Sequence, residues 1–415
     1  MKSSKTSLMM STFSGMFLWG ILASIAPLSQ SWPFADNLSG FYTVLLVLTG
    51  PILALMGNVS MGFVSDWVGR KKVFILTMAL YIVGIVIISF SFSVISLLAG
   101  IALSEFGIAG EEIPTIALLA EDTPRKKMSS LITKGMNFSN VGGAFIAGVL
   151  ILVNVSHSTI LVQRLAILIP SIILIGIMVY ARLSLPESYR WLDSRGRKEE
   201  ADKEVADLGL ETNFQGENPS RKINPALSYL VLAFLALSQY LTFGLMVYIV
   251  PYYEFRPGVV EILVFFGLLG SSIAGPIAAK LISRGRKNYS VFAYGGGFLT
   301  VLAIFMVVKD LGNLLVFVPL LFINMAFSEF AWASRTTLEP ELFSTRNRGK
   351  AIGLVRLAPM VAYPLTIYLF ANFSLQQQIL SNVVLWGIGL IGAIIWFIAG
   401  VETKNLDLDF QVKKA

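Results

Sequence analysis

Long runs of apolar residues recur from one end of the chain to the other, separated by short polar stretches. Many of these runs approach the roughly 20 residues that a helix needs to cross a bilayer. About twelve can be counted, and they start near Phe13, Tyr42, Val73, Ile95, Leu131, Ala166, Leu227, Glu261, Val291, Leu314, Ala351 and Val383. The pattern predicts an all-α polytopic membrane protein with about twelve transmembrane helices.

The composition agrees with this interpretation. Of the 415 residues, 55% are hydrophobic and only 14% are charged, whereas about a quarter of the residues in a soluble domain are charged. The chain has no cysteine and one histidine, His157. Cysteine nucleophiles, disulfides and Cys/His metal sites are therefore excluded, and no cofactor is expected.

The positive charge follows the predicted topology. The formal net charge is +7, and basic clusters at 70–72 and 125–127 follow the second and fourth spans. The longest polar stretch, 182–222, follows the sixth span, while the connections on the other side carry few charges. By the positive-inside rule, both termini and this long loop are cytoplasmic. The expected partners are the lipid bilayer of the cell membrane, a small molecule and protons, and not nucleic acid.

The long loop divides the spans into six and six. We expect an N-terminal half at 1–183, a cytoplasmic linker with short helices at 184–225, a C-terminal half at 226–401 and a cytoplasmic tail at 402–415. The first apolar segment is expected to be retained as a span, because cleaving it as a signal peptide would leave an odd number of spans.

Two short sequences of the first half return in the second. ALSEF around Glu105 returns as AFSEF around Glu329, and AEDTPRKK at 120–127 resembles PELFSTRNR at 340–348. The two echoes occur in the same order at equivalent places, which indicates a duplicated six-helix unit. Transporters built from such repeats bind substrate at the repeat interface, near the middle of the bilayer.

The segment GFVSDWVGRKK, at 62–72, joins the second and third spans. Gly62 would let helices approach closely, Asp66 lies at a helix end, and Gly69 and Arg70 follow where the chain turns. An acid beside basic residues at such a junction can form a charge-pair latch that breaks when the two halves move. The simpler alternative is a positively charged loop with a tight turn.

This segment resembles the signature between helices two and three of the major facilitator superfamily, and the resemblance covers nearly the whole chain. PESYRWL at 186–192 and VETKN at 401–405 are similar to elements of its sugar-porter and organic-ion branch, with Val401 in the usual place of proline. The second-half copy of the signature, at 278–287, has Ile282 where the acid should be. The resemblance implies a twelve-helix transporter that works by alternating access, with a separate pathway in each chain, and hence a monomer.

The resemblance also implies a gate on the cytoplasmic side. Networks between its charged residues would hold the inner side closed. The predicted gate residues are Gly62, Asp66, Gly69, Arg70, Glu121, Arg125, Glu187, Arg190, Glu341 and Arg348.

Three carboxylates, Glu105, Glu111 and Glu112, lie in the apolar fourth span. A charged carboxylate inside a bilayer costs at least a few kcal/mol, so each needs a partner or a function. Glu105 and Glu112 share one helix face, with Glu105 near mid-depth. The sequence GIAGEEIP resembles a pattern of aromatic-acid and organic-ion members, in which Glu112 takes the position of the fourth-helix acid. We predict that Glu105, Glu112 and Glu329 take part in proton or substrate coupling.

Arg356, in the eleventh span, resembles an arginine of the organic-anion members. Its permanent charge and bidentate geometry suit a carboxylate substrate. Purely structural pairs are the alternative for these intramembrane charges. Arg356 could pair with Glu341, and Glu111 with Lys134 or Arg335.

Sugar porters carry the pattern Q-x-x-x-x-N-x-x-x-Y in the seventh helix. Gln239 and Tyr248 fit it, but Gly244 stands in place of asparagine. Trp332 could stack on a sugar or an aromatic ring, or could be an ordinary core or lipid-facing residue. The predicted substrate-binding residues are Gln239, Tyr248, Trp332, Arg356 and Asn137.

The predicted function is secondary active transport of a small polar metabolite, an organic acid or a sugar, by proton symport. The buried acids are available to carry the proton. A sugar facilitator without proton coupling is one alternative. A sensor that binds substrate without transporting it is another. A membrane enzyme is not favoured, because the sequence has no catalytic His/Cys set, phosphate-binding loop or metal cluster.

Overall fold

The computed structural model describes residues 2–29, 32, 40–155, 159–210 and 224–408, without the side chains of residues 2–4 and 154–155. His157 and parts of the predicted linker and tail, at 211–223 and 409–415, lie outside the described residues. The first part of the chain forms α1 (Lys2–Ala23), the short α2 (Ile25–Leu28), α3 (Gly40–Val68), α4 (Arg70–Ser89), α5 (Val94–Glu121), α6 (Arg125–Val155) and α7 (Ile160–Leu183).

The second part begins after two short linker helices, α8 (Tyr189–Ser194) and α9 (Lys198–Leu208). It contains α10 (Pro225–Gly244), a π-helical turn (Leu245–Ile249), α11 (Val250–Glu254), α12 (Val259–Ile282), α13 (Lys287–Met306), α14 (Leu314–Glu341), α15 (Arg348–Phe370) and α16 (Leu375–Ala399). Single 3₁₀ turns at Val308–Asp310 and Thr345–Asn347 precede α14 and α15.

Within the described residues, 12 helical segments are long and apolar enough to cross a membrane, which confirms the predicted all-α architecture. Most of them begin a few residues before the apolar runs, because the helices continue through polar residues at their ends. Ser93, Asn313 and Ser374 cap three of these starts by accepting a hydrogen bond from a backbone N–H two or three residues later. Such caps satisfy N–H groups that have no acceptor inside the helix.

The spanning helices pack as two bundles, α1–α7 and α10–α16, that touch along two seams. In one seam α3 packs against α15, and in the other α6 packs against α12. We call the end of the molecule where α3, α5 and α14 end and where α6 and α15 begin the gate end. The linker helices lie there, since α8 contacts the Thr345–Asn347 turn of the second bundle and the Trp191 indole donates to the backbone oxygen of Asp66 at 2.9 Å.

Inside the first bundle, α1 and α6 approach closely at two glycines. A Cβ atom on Gly20 would lie 1.7 Å from the backbone oxygen of Ser139. A Cβ atom on Gly142 would lie 1.9 Å from the backbone oxygen of Phe17. Small residues at such crossings let helix backbones pack directly in a membrane.

We expect Gly20→Ala to lower the thermal unfolding temperature of the detergent-purified protein, because one added methyl group would force α1 and α6 apart. Overpacking of this kind costs about 1–3 kcal/mol. Gly176→Ala is the matched control, since no atom lies within 4 Å of a Cβ at that helical position. Equal unfolding temperatures for the two variants would contradict the close packing of α1 on α6.

Candidate functional site

Charged side chains of both bundles converge at the gate end. Arg70 donates to Glu121 through Nε at 3.2 Å and Nη2 at 2.9 Å, and to Asp66 through Nη1 at 3.0 Å. Glu121 also accepts from Arg348 of the second bundle at 2.6 Å and from the Ser188 hydroxyl at 2.5 Å. The buried Glu121 carboxylate therefore ties the two bundles together.

Asp66 makes a second connection across the α3–α15 seam. Its carboxylate accepts from the backbone N–H groups of Gly349 at 3.1 Å and Lys350 at 2.7 Å, in the first turn of α15. A carboxylate at this place satisfies N–H groups that have no acceptor inside the helix and complements the positive end of the helix dipole. Glu187 supports the turn before α4 by accepting from the Arg70 backbone N–H at 2.9 Å.

The second bundle repeats this arrangement. Arg286 donates to Glu341 through Nη2 at 2.7 Å, and Glu341 also accepts from Arg125 of the first bundle at 2.7 Å and from the Thr403 hydroxyl. Glu402 accepts from the Arg286 backbone N–H at 2.9 Å. Thus Arg70, Glu121, Arg348, Ser188 and Glu187 correspond in role to Arg286, Glu341, Arg125, Thr403 and Glu402.

The remaining predicted gate residues have simpler surroundings. A Cβ atom on Gly62 would lie 3.0 Å from the backbone oxygen of Gly349, so this glycine allows α3 and α15 to approach. Gly69 has a φ of +104°, a conformation that favours glycine. Arg190 lies at the edge of the network and pairs with Asp407 of the tail at 3.4 Å.

Deeper in the molecule, a second network crosses between the bundles. Glu112 of α5 pairs with Arg356 of α15 at 2.7 Å, and Arg356 also pairs with Glu339 at 2.7 Å. Arg335 pairs with Glu339 at 2.7 Å and donates to Gln239 at 3.1 Å. This network contains two carboxylates and two guanidinium groups, so its formal charges balance. The alternative pair between Arg356 and Glu341 is therefore wrong.

Glu111 has neither of the two partners considered from the sequence. It pairs with Arg182 in the last turn of α7, inside the first bundle, and Arg182 also donates to the Tyr81 hydroxyl at 3.0 Å. Its alternative pairs with Lys134 and Arg335 are wrong. From the sequence, Arg182 was counted as the first residue of the polar stretch 182–222 and not as a partner of Glu111, because the apolar run of the sixth span ends just before it.

A cavity of about 90 Å³ lies between the bundles, on the far side of the second network from the gate end. It includes three of the predicted substrate-binding residues and two of the predicted coupling carboxylates. Its aromatic lining residues are Trp19, Tyr240, Phe243, Tyr248, Trp332 and Tyr363, and its charged and amide residues are Glu105, Glu112, Gln239 and Arg335.

Several polar groups of this cavity have no partner within the described part of the chain. The indole N–H groups of Trp19 and Trp332 are buried without an acceptor. The Glu105 carboxylate, although only 7% exposed, makes no hydrogen bond or ion pair with any described residue. Because buried polar groups in native proteins are nearly always hydrogen-bonded, these groups are suited to bind a polar ligand.

Gly244, which replaces the asparagine of the sugar-porter pattern, has a structural explanation. A Cβ atom on Gly244 would lie 2.2 Å from the hydroxyl oxygen of Tyr363. The ring of Tyr363 thus occupies the space of a larger side chain and brings its own hydroxyl to the cavity. Sequence reasoning missed Tyr363, although it follows Arg356 by seven residues and so shares its helix face.

Three predicted site residues lie outside the cavity lining. Arg356 is held by its two carboxylate partners, and Asn137 donates to the backbone oxygen of Ser271 at 2.9 Å in the α6–α12 seam. Glu329 accepts from Asn140 of α6 at 2.7 Å. The polar atoms of Arg356 and Asn137 thus face protein partners in this structure, and their contacts with a substrate stay predictions.

The predicted equivalence of Glu105 and Glu329 is wrong. Glu121 and Glu341 hold equivalent places in the gate, and both end their helices. Glu105 precedes Glu121 by sixteen residues, whereas Glu329 precedes Glu341 by twelve, so the two residues differ by about one helical turn. The position that corresponds to Glu105 is Met325, and the short sequence echo is out of register with the fold.

Comparisons with known proteins identify the class. The profile of the Major Facilitator Superfamily matches residues 8–367. The chain belongs to this superfamily, whose members are membrane transporters, and its relatives support the sugar-porter branch. These matches confirm the resemblance stated from the motifs and the prediction of a transporter rather than an enzyme.

Curated relatives include sugar-related proteins of plants and bacteria. Monosaccharide-sensing protein 2 of Arabidopsis thaliana is 30% identical over 49% of this chain. The match spans only 30% of that relative's own length. Minor myo-inositol transporter IolF of Bacillus subtilis is 26% identical over 83% of this chain and 76% of its own. Among solved structures, the proton:xylose symporter XylE bound to 6-bromo-6-deoxy-D-glucose has a TM-score of 0.80 with 15% identity, covering 99% of both chains.

One buried acid at the gate end has an unfavourable environment. Asp122 follows Glu121 and accepts from the Tyr189 backbone N–H at 3.3 Å through one oxygen, while its other oxygen has no partner among the described residues. Burial, with a further contribution from the nearby Glu121 charge, raises the pKa of Asp122 well above its usual range.

We expect Asp122→Asn to raise the unfolding temperature at pH 8 by about 2 °C or more, with a smaller gain near pH 4. A raised native pKa means that the native state keeps its proton while the unfolded state ionises, so this residue lowers stability progressively as the pH rises above about 4. Thermal unfolding across this pH range tests the expectation, with the exposed Asp202→Asn as control. A gain independent of pH would contradict the assignment.

Proposed function

We propose that the protein transports a neutral polyhydroxylated metabolite, a monosaccharide or a cyclic polyol, across the cell membrane by alternating access. The observation that carries this proposal is the aromatic cavity between the bundles with its unpartnered polar groups. Aromatic faces pack against the apolar faces of sugar rings, and the polar groups can exchange hydrogen bonds with substrate hydroxyls. The named functions of IolF and XylE, an inositol transporter and a xylose symporter, support this class of substrate.

A neutral substrate is favoured over an organic acid by the charges around the cavity. Arg356 and Arg335 are both paired with Glu339, and Arg356 also with Glu112. The carboxylate of Glu105 also lines the cavity and makes no ion pair with a described residue. An anionic substrate would have to displace an existing carboxylate or approach Glu105, and both would cost free energy in a medium of low dielectric.

The proposed transport cycle opens the two ends of the molecule in turn. By the positive-inside rule, the gate end faces the cytoplasm. Opening it would separate Arg348 from Glu121 and Arg125 from Glu341. At the opposite end the bundles are joined by a hydrogen bond of 3.0 Å from the Tyr252 hydroxyl to the Thr43 backbone oxygen. The substrate pathway lies within one chain, so a monomer is sufficient.

The seventh span has a suitable place for movement near this opposite end. The π-helical turn Leu245–Ile249 interrupts the helix and contributes Tyr248 to the cavity. Pro251 follows in α11. Helices bend at π-turns and at prolines, because the regular ladder of backbone hydrogen bonds is broken there.

Glu105 is the proposed proton carrier. It is the cavity carboxylate without an ion pair among the described residues, whereas Glu112 is held by Arg356. Glu112 would contribute to coupling by breaking this pair when the bundles separate. Glu329, at the contact between α6 and α14, is the alternative coupling site, because its carboxylate is hydrogen-bonded across the bundles to Asn140.

We expect Glu105→Gln to abolish the stimulation of uptake by an inward proton gradient in proteoliposomes, while uptake down a substrate gradient continues. Glutamine keeps the size of the side chain but cannot exchange a proton. Glu329→Gln is the matched control, a buried carboxylate outside the cavity lining. Loss of stimulation only in Glu329→Gln would move the coupling site to the α6–α14 contact. Wild-type uptake that ignores the gradient would identify a facilitator.

A sensor without transport is the second candidate function, because monosaccharide-sensing proteins are among the relatives. Asp66→Asn distinguishes the two. The asparagine weakens the contacts to Arg70, Gly349 and Lys350, which hold the gate end closed, and we expect a transporter to lose about tenfold or more of its flux.

Substrate binding should survive in Asp66→Asn, since this residue does not line the cavity. Binding can be followed by the fluorescence of the cavity tryptophans, and flux by uptake into proteoliposomes, with a panel of monosaccharides and cyclic polyols. Asp193→Asn, at an exposed position of α8, is the control. Saturable binding without flux in the unmodified protein would establish the sensor instead.

A further inference from the structure

A second cavity, of about 110 Å³, lies at the gate end, apart from the one between the bundles. Four of its lining residues are cationic, and none is acidic. The cationic residues come from the start of α6, from the α12–α13 connection and from the tail that follows α16. The lining residues that matter here are Arg125, Lys126, Ser129, Arg286 and Lys404.

The excess of positive charge arises where the two bundles differ. In the first bundle Arg70 donates through Nη1 to the Asp66 carboxylate at 3.0 Å. The corresponding residue of the second bundle is the fully buried Ile282, and Arg286 donates through Nη1 to its backbone oxygen at 3.0 Å. Two arginines therefore share two carboxylates in the first gate network, whereas Arg125 and Arg286 share only Glu341.

The start of α6 also lacks the carboxylate that caps the corresponding helix of the second bundle, α15. Asp66 caps the first turn of α15 by accepting from the N–H groups of Gly349 and Lys350. For α6, the corresponding helix, the place of Asp66 is taken by Ile282, and no described carboxylate accepts from the N–H groups of its first turn. The N–H groups of Lys127 and Met128 donate to the Pro124 backbone oxygen at 2.8 and 3.1 Å, which leaves those of Arg125 and Lys126 without an acceptor among the described residues. The helix start also carries a partial positive charge.

Ser129 supplies an independent sign of a ligand. This serine is 2% exposed and lines the cavity. Its hydroxyl makes no hydrogen bond with any described residue, although buried hydroxyl groups nearly always have a partner.

We infer that this cavity binds a phosphate group in the place that a carboxylate occupies in the first bundle. Phosphate oxygens accept well from arginine, lysine, serine and helix N-termini together. The volume accommodates at least half a dozen water-sized groups, which is enough for a phosphate. The group can belong to an anionic lipid or to a soluble phosphate, since basic pockets at the membrane surface bind lipid headgroups.

A phosphate bound there would touch both bundles and the tail. Lys126 and Ser129 belong to the first bundle, Arg286 to the second, and Lys404 to the tail. The ligand therefore stabilises the arrangement in which the gate end is closed and disfavours its opening. A ligand that binds one conformation better shifts the equilibrium toward it and raises the stability of the folded protein.

The first test measures the unfolding temperature of the full detergent-purified chain in sodium phosphate and in sodium chloride at equal ionic strength. We expect a higher temperature in phosphate. In Ile282→Asp, which supplies the missing carboxylate, the unfolding temperatures in the two salts should be equal. In Ile282→Asn, whose side chain has the shape of aspartate without its charge, the temperature in phosphate should still be higher. Equal temperatures in the two salts for the unmodified protein, or a phosphate effect that Ile282→Asp retains in full, would overturn the inference.

A second test does not depend on substituting a buried residue. Lys126→Ala and Lys404→Ala change exposed side chains outside the ion-paired network, and each should weaken the apparent affinity for phosphate by about tenfold. Unchanged affinity in both variants would contradict the site. In phosphatidylcholine vesicles, stabilisation by added phosphatidic acid identifies a lipid headgroup, and stabilisation by soluble phosphate alone identifies a free anion. These readouts do not require transport, so they stand apart from the proposed function.

Discussion

The structure depends on buried ion pairs that cross between two bundles. A charge taken out of water costs several kcal/mol unless it is paired, so these carboxylates cannot lose every partner when the bundles separate. Each has a partner in its own bundle. Glu121 keeps Arg70, and Glu341 keeps Arg286, while the arginine from the opposite bundle leaves. That arginine is buried while the bundles are in contact but lies at the gate end, where their separation would bring it into water, so opening would cost much less than breaking an isolated buried pair.

The deeper network follows the same principle. When the bundles separate, Arg356 keeps Glu339 of its own bundle. Glu112 loses its cation but keeps a hydrogen bond of 3.1 Å from Asn58 of α3. Glu112 also lines the cavity between the bundles, so under the proposed function a substrate hydroxyl would replace one lost hydrogen bond. Occupancy of the cavity would then be physically linked to separation of the bundles.

The apolar runs and the motifs predicted much of this architecture, but they did not predict which buried side chains contact each other. The spans follow from apolar length, and the gate motif follows from an acid and an arginine at fixed spacing across a turn. The pair of Glu111 with Arg182 joins residues 71 positions apart, and only the helix packing brings them together. Tyr363 was missed for a similar reason, because the space left by Gly244 belongs to a different helix.

The two bundles differ at two positions that determine where charged groups lie, one in the cavity and one at the gate end. Where α5 places Glu105 in the cavity, the corresponding position of α14 is Met325, an apolar core residue. Where α3 carries Asp66 in its last turn, α12 carries Ile282. A duplicated unit with identical charges would have two equivalent gates and two equivalent cavity acids. In this chain Glu105 is the cavity acid without an ion pair among the described residues, and the absence of an acid at Ile282 leaves an excess of positive charge at one of two otherwise matching junctions.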